Sequence, residues 1–206
     1  MKKIGIVIFD NFTDIDLFLM WDVLGRNKAD WQVKILGTKE SHRSTHGLSI
    51  DTHGHVTEAN DADVVLFASG KKGVKIVIND EKFLNCFSLD PKRQMIGSIC
   101  AGAFILAKLG LLNDRLATTH PDAKNELQAL GIETIDRPLV WNENIATAGG
   151  CLSAIYLVGW VIERLFGLKK RRELLIDIFP TGQRDIYEQL ITASIQNENV
   201  GIKYTK

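Results

Sequence analysis

Met95-Ile96-Gly97-Ser98-Ile99-Cys100-Ala101-Gly102-Ala103-Phe104-Ile105-Leu106 is the stretch that decides the fold. Its first half is a short apolar run suited to a buried strand. Its second half is an apolar, Ala-rich run of helical character, with no proline or polar loop between the two. Cys100 stands at the joint. A chain that passes straight from strand to helix must turn sharply, which is sterically open only among small neighbours, as Ser98, Ala101 and Gly102 are. This is the pattern of a nucleophile elbow with sulfur in place of oxygen. It predicts a thiol at the sheet's edge and at a helix N-terminus, where free backbone N–H groups and the helix dipole favour the thiolate.

Upstream of the elbow, Ile4 to Phe9 is a continuous apolar, β-branched-rich run expected of a central parallel strand. A helix over Asp14 to Leu24 comes next, closed by Gly25. Within its first turn Asp16 sits between two large apolar residues, either as a surface acid complementing the dipole or as a carboxylate held at the sheet's edge. Trp31 to Gly37 reads as a second strand, Ser44 to Thr52 as a small hairpin, and Val64 to Ala68 as a buried strand ending at Ser69-Gly70. That Gly leaves backbone N–H groups open to a ligand, as an oxyanion-binding turn or an ordinary strand-to-helix turn. Lys75 to Phe87 is expected to be helical, with Cys86 as a packing residue.

Downstream, Leu116 to Thr119 reads as a short strand ending at His120-Pro121, and Asp122 to Leu130 as a helix stopped by Gly131. Strands are expected near Ile132 to Ile135, Leu139 to Trp141 and Ile145 to Ala148, the last entering Gly149-Gly150. Cys151 to Phe166 reads as a long apolar helix ended by Gly167. The basic run Lys169-Lys170-Arg171-Arg172 is expected to be the solvated start of another helix, and Arg184 to Ile195 an amphipathic final one.

Alternating strands and helices imply a parallel sheet covered on both faces, with ligands at the C-terminal ends of the strands. Cys100, His120, Ser69-Gly70 and the loop before Asp16 all issue from such ends. Composition fits one domain over residues 1–206 with a helical extension over 168–206. Lys+Arg and Asp+Glu number 25 each, so nothing electrostatic calls for nucleic acid or an acidic membrane. The N-terminal apolar run is too short for a signal peptide, and no apolar segment approaches bilayer length without interruption. Three scattered cysteines do not make a disulfide framework, so a reducing cytoplasm is expected. His42, His46, His53 and His55 cluster without accompanying cysteines and are expected to be loop or surface residues; no metal or other cofactor is expected.

On Ile4-Gly5-Ile6-Val7-Ile8-Phe9, Ile15-Asp16-Leu17 with Asp22-Val23-Leu24, Ile99-Cys100-Ala101-Gly102, Leu109-Gly110-Leu111-Leu112, Ala117-Thr118-Thr119-His120 and Thr147-Ala148-Gly149-Gly150, the chain resembles the ThiJ/PfpI family of the class I glutamine amidotransferase-like superfamily. The resemblance implies a flavodoxin-like α/β sandwich, a reactive Cys100 and a homodimer. Asp rather than Glu at position 16, and the Thr-Ala-Gly-Gly turn, are similar to the isonitrile hydratase branch. The sequence departs from that branch at Ala101, where Thr is usual, and at Ala68-Ser69-Gly70, where Pro-Gly-Gly is usual. It also lacks the His after Cys that marks the peptidase branch.

For chemistry, the resemblance implies attack by Cys100 on a small electrophile, with Asp16 as general acid/base. Backbone N–H groups at Gly70 and Ala101 would face the developing charge, with Ser69, Gly149 and Gly150 around the substrate. His120 is either a further catalytic group or structural. An alternative is glyoxalase- or deglycase-like action on 2-oxoaldehydes. Another is a redox-sensing cysteine without catalysis, in which Cys151, at another helix start on the same sheet edge, either resolves an oxidised Cys100 or merely packs.

Overall fold

The computed structural model describes residues 1–196. The chain runs β1 (Lys2–Val7), α1 (Asp14–Gly25), β2 (Trp31–Gly37), β3 (Ser41–Arg43), β4 (Ser49–Asp51), β5 (Gly54–His55), β6 (Val64–Phe67), α2 (Lys71–Val77) and α3 (Glu81–Leu84). It continues through β7 (Met95–Ile99), α4 (Ala103–Lys108), α5 (Lys124–Gln128), β8 (Leu139–Asn142), β9 (Ile145–Ala148), α6 (Ala154–Leu175) and α7 (Arg184–Ile195). Seven strands form one sheet in the order β5-β2-β1-β6-β7-β9-β8, parallel except where β8 runs against β9. The expected hairpin is present as the separate antiparallel ribbon β3-β4.

Every residue of β6, β7 and β9 is buried, as strands covered on both faces must be. Helices α1 and α6 pack on one another and on the sheet, while α2 packs on α4, which lies on β7. Gly97 shows how closely a layer seats: a Cβ there would stand 2.8 Å from Leu157 Cδ1 of α6 and 2.9 Å from Leu66 Cδ2. The chain turns from β1 to β2 on one side and back to β6 and β7 on the other, so the sheet has its switch point between β1 and β6. The fold is the flavodoxin-like α/β arrangement that the resemblance implies, built on the parallel sheet expected from the alternation.

Several local expectations change. The helix expected over Lys75 to Phe87 begins at Lys71 and breaks, because Asp80 Oδ1 accepts from the Lys82 and Phe83 amides and caps a new turn. The strands expected at Leu116 to Thr119 and Ile132 to Ile135 shrink to a single bridge between Ala117 and Thr134. The Thr118 amide is diverted from any ladder to the Thr147 hydroxyl at 2.8 Å. His42 is a core residue rather than a surface one: Nδ1 lies 3.0 Å from Asp10 Oδ1 and Nε2 accepts from the Thr38 amide.

Gly167, at φ 83°, interrupts α6 as expected, and the helix resumes beyond it. Against expectation, the stretch Cys151–Ile178 is long and apolar enough by length and composition to cross a membrane. Its apolar residues Leu157, Val158, Trp160, Val161 and Ile162 are fully buried in the protein core. The basic run is not wholly solvated either. Arg171 is fully buried, its guanidinium 3.0 Å from Glu163 and hydrogen-bonded to Glu188 and to Thr192 Oγ1 on α7. The last turn of α7 is tied back to β8 by Trp141 Nε1, which donates to the Ile195 carbonyl at 2.9 Å. Of the extension expected over 168–206, residues 197–206 lie outside the described residues.

Candidate functional site

The elbow forms as its small residues require. β7 ends at Ile99, Cys100 takes the left-handed conformation at φ 55°, and a single 3-10 turn over Cys100–Gly102 leads into α4. A left-handed backbone at a residue with a side chain is strained and persists only where its surroundings impose it. Here the Thr119 hydroxyl donates to the Cys100 carbonyl at 3.0 Å and holds the turn from the neighbouring segment. Gly102 allows the close approach of β6: a Cβ there would stand 2.9 Å from the Ala68 carbonyl and 3.1 Å from that of Phe67.

Three groups from three strand ends meet at this point. Asp16 comes from the first turn of α1 after β1, Cys100 comes after β7, and Cys151 after β9. One carboxylate oxygen and the two sulfurs lie within 4.8 Å of one another, and the sulfurs are 3.7 Å apart. As metal donors, two thiols and one carboxylate are one short of the closed tetrahedral set of a structural zinc site. Asp16 is fully buried, and neither of its carboxylate oxygens has a hydrogen-bond partner of good geometry.

Electrostatics at the trio differ from the reading of the sequence in one respect. Burial raises the Asp16 pKa to about 6, partly offset by the Cys151 thiol and the charge of His120. Burial also pushes the Cys100 thiol strongly up, and the facing Asp16 and Cys151 add to it; the Ala101 amide pulls the other way and loses. Cys151 rises to about 11, again first from burial and then from Asp16. The expectation of a thiolate favoured by the helix dipole therefore fails. Cys100 opens only one 3-10 turn and the six residues of α4, too little aligned backbone to outweigh burial beside a carboxylate.

Above the trio opens a cavity of about 210 Å³. Cys100, Ala101, Cys151, Ser69 and His120 line it, and Val74, Ile78 and Phe104 make it largely apolar. His120 is part-exposed, and its Nδ1 accepts from the Asp122 amide at 3.2 Å, so this histidine caps a turn as well as facing the cavity. Ser69 offers its carbonyl to the Thr13 amide at 2.7 Å, fixing the α1 entry next to the β6 exit. Gly70 is pressed against that same entry: a Cβ there would fall 2.1 Å from the Asn11 carbonyl.

Gly149 and Gly150 are not among the cavity-lining residues. The Gly149 amide is spent on the Pro138 carbonyl at 3.0 Å, which removes it as an oxyanion donor. Gly150, at φ 94°, makes the turn that delivers Cys151. The sequence reading missed Val74 and Phe104 as walls and Thr119 as the brace of the elbow. Lys71 and Lys75 at the cavity were missed too, and their signal was available: Lys71 opens the helix immediately after Ser69-Gly70 and Lys75 lies one turn further on.

A mostly parallel sheet with a cysteine on a strand-to-helix elbow, faced by an acid from the first helix, defines a class of cysteine-centred α/β proteins. The chain belongs to the DJ-1/PfpI family, whose model matches residues 2–164. It is 27% identical over 179 residues to protein DJ-1alpha of Drosophila melanogaster, covering 84% of this chain and 82% of the relative. To the isonitrile hydratase of Pseudomonas putida it is 27% identical over 168 residues, covering 81% and 73% respectively. To the glutathione-independent glyoxalase DJ-1 of Schizosaccharomyces pombe it is 23% identical over 181 residues, covering 82% and 89%. Among solved structures, a ThiJ/PfpI family protein from Pseudomonas syringae superposes with a TM-score of 0.79 at 19% identity, over 95% of this chain and 88% of that one.

Proposed function

We propose that the protein is a cysteine-dependent enzyme acting on a small electrophile in this cavity, of the isonitrile hydratase type. The observation that carries the reading is Asp16: a buried carboxylate without a well-formed hydrogen bond, beside the Cys100 sulfur, with a pKa of about 6. A group so tuned can both take and give a proton near neutral pH. Addition of a thiol to an isonitrile needs both in sequence. As sulfur bonds to the terminal carbon, the Cys100 proton passes to Asp16 and on to that carbon, giving a thioimidate. Water then adds to the thioimidate carbon, its proton leaves through Asp16, the nitrogen is protonated, and the C–S bond breaks to release an N-substituted formamide and the free thiol. Because Asp16 accepts the thiol proton during attack, Cys100 need not rest as a thiolate. The apolar walls Val74, Ile78 and Phe104 suit a neutral organic substituent.

The test is a turnover screen of wild type and Cys100→Ser against isonitriles, 2-oxoaldehydes and peptides. Formamide production from an isonitrile, absent in the variant, is the expected result. Turnover of methylglyoxal alone, dependent on His120, would replace this reading with the glyoxalase one.

The homodimer implied by the resemblance has a candidate face at Ile15 and Phe18, exposed on α1 beside the site. Light scattering is expected to give twice the chain mass, falling toward the single-chain mass in Phe18→Glu; a monomeric wild type would remove this part of the proposal.

A further inference from the structure

The proposed reaction uses Cys100 and Asp16 and leaves Cys151 without a task, although its sulfur is 3.7 Å from that of Cys100. All three cysteines are free thiols, and Cys86 is elsewhere, its thiol donating to the Lys82 carbonyl. We propose that Cys100 and Cys151 form a reversible disulfide when the protein meets a hydroperoxide, and that this bond withdraws Cys100 from its substrate.

The geometry supports closure. A disulfide needs the sulfurs at about 2.05 Å, so the gap closes by small motions of two side chains. The Cys100 backbone is fixed by the Thr119 hydroxyl, which leaves Cys151 to move. It stands directly after Gly150, where an added Cβ would meet nothing within 4 Å. Both cysteines line the cavity, which gives a small peroxide its approach.

Atoms and electrons balance at each step. The Cys100 sulfur attacks one peroxide oxygen, an S–O bond forms, the O–O bond breaks, and the thiol proton passes through Asp16 to the departing alcohol or water. Cys151 sulfur then attacks the Cys100 sulfenic acid; the S–S bond forms, the S–O bond breaks, and the leaving hydroxide takes the Cys151 proton as water. Two thiols are oxidised and one hydroperoxide is reduced. An external dithiol reverses the process by exchange. Without Cys151 the sulfenic acid has no thiol at hand and climbs to sulfinate, which thiols do not reduce.

This disulfide presupposes Cys100 as the reactive residue, as in the proposed function, but its test does not depend on turnover. The full chain is treated with hydrogen peroxide and followed by intact mass and non-reducing peptide mapping, before and after dithiothreitol. Expected is a loss of two hydrogens with a Cys100–Cys151 cross-linked peptide, reversed by dithiothreitol and unchanged in Cys86→Ser. In Cys151→Ser the expected product is a gain of two oxygens on Cys100 that dithiothreitol leaves in place. A wild type that gains two oxygens at Cys100 with no cross-link, or one that cross-links through Cys86, overturns the proposal. If the cross-link forms and no substrate is ever turned over, the enzymatic reading fails and the reversible disulfide stands without it.

Discussion

Asp16→Asn is expected to lower the turnover number by about 10²–10⁴-fold, the usual contribution of a positioned acid/base group, while making the protein more stable at neutral pH. The two effects have one cause. Burial without a well-formed hydrogen bond holds the Asp16 pKa near 6 against an ordinary value of 3.8. Below about pH 3 the group is protonated in both the folded and the unfolded chain. Between its two pKa values the folded state binds a proton that the unfolded state does not, so stability falls as the pH rises through that window. Above it the full cost is present, about 3 kcal/mol at 1.36 kcal/mol per unit. Asparagine has nearly the same shape and no charge to bury. Urea unfolding should therefore show the variant and wild type close together near pH 4, with the variant ahead by up to about 3 kcal/mol at about pH 7.5. An Asp16→Asn protein that loses stability at neutral pH would mean that the carboxylate is held by favourable partners, contrary to the geometry. One that keeps full activity would remove Asp16 from the mechanism.

Arg171→Met is expected to destabilise the protein by about 3–5 kcal/mol, the cost of leaving buried charges without their counter-ion. Arg171 is fully buried where α6 and α7 meet, with Glu163 on one side and Glu188 on the other. Removing it sets two part-buried carboxylates against each other, leaving Glu188 with the more exposed Arg172 at 2.7 Å and the Thr192 hydroxyl at 3.3 Å. The control is the triple replacement Arg171→Met, Glu163→Leu, Glu188→Leu. Without any of these charges the region is expected to regain most of the loss, since a buried ionic cluster contributes little over well-packed apolar groups. Equal losses in the single and triple variants would show that Arg171 acts through the packing of its alkyl chain instead. Activity per folded molecule is expected to be unchanged, since neither Arg171 nor its two glutamates line the cavity.

Asp16 and Arg171 mark the limit of what could be read in advance. The elbow was legible because steric rules are local: a strand running into a helix at Cys100 needs Ser98, Ala101 and Gly102, and those residues are adjacent in the chain. The same alternation placed the chain segments after β1, β6, β7 and β9 at one edge, while the order of the strands came only with the tertiary structure. The candidacy of Asp16 was legible as an acid out of place between apolar neighbours. Its solitude was not, because that is a property of everything packed round it.

The shrunken strand at Ala117 and the early start of α2 show the same boundary on a smaller scale. Leu116 to Thr119 has strand-like composition, but a hydroxyl from Thr147 takes the Thr118 amide, and no pattern within four residues reveals a partner twenty-nine positions away. Asp80, by contrast, is a local cap whose signal was present in Asn79-Asp80-Glu81 and was outweighed by the apolar periodicity on both sides.

The sequence by itself determined an α/β sheet with a cysteine on a sharp turn at its C-terminal edge, since periodicity and small-residue sterics act over a few neighbouring positions. Tertiary structure alone decided that Cys151 faces Cys100 at 3.7 Å, that burial pushes both thiols up, and that one arginine of a basic run lies in the core. Distances between segments and the removal of water from charged groups arise only when the layers close on one another, and those two quantities set the chemistry of Asp16, Cys100 and Cys151.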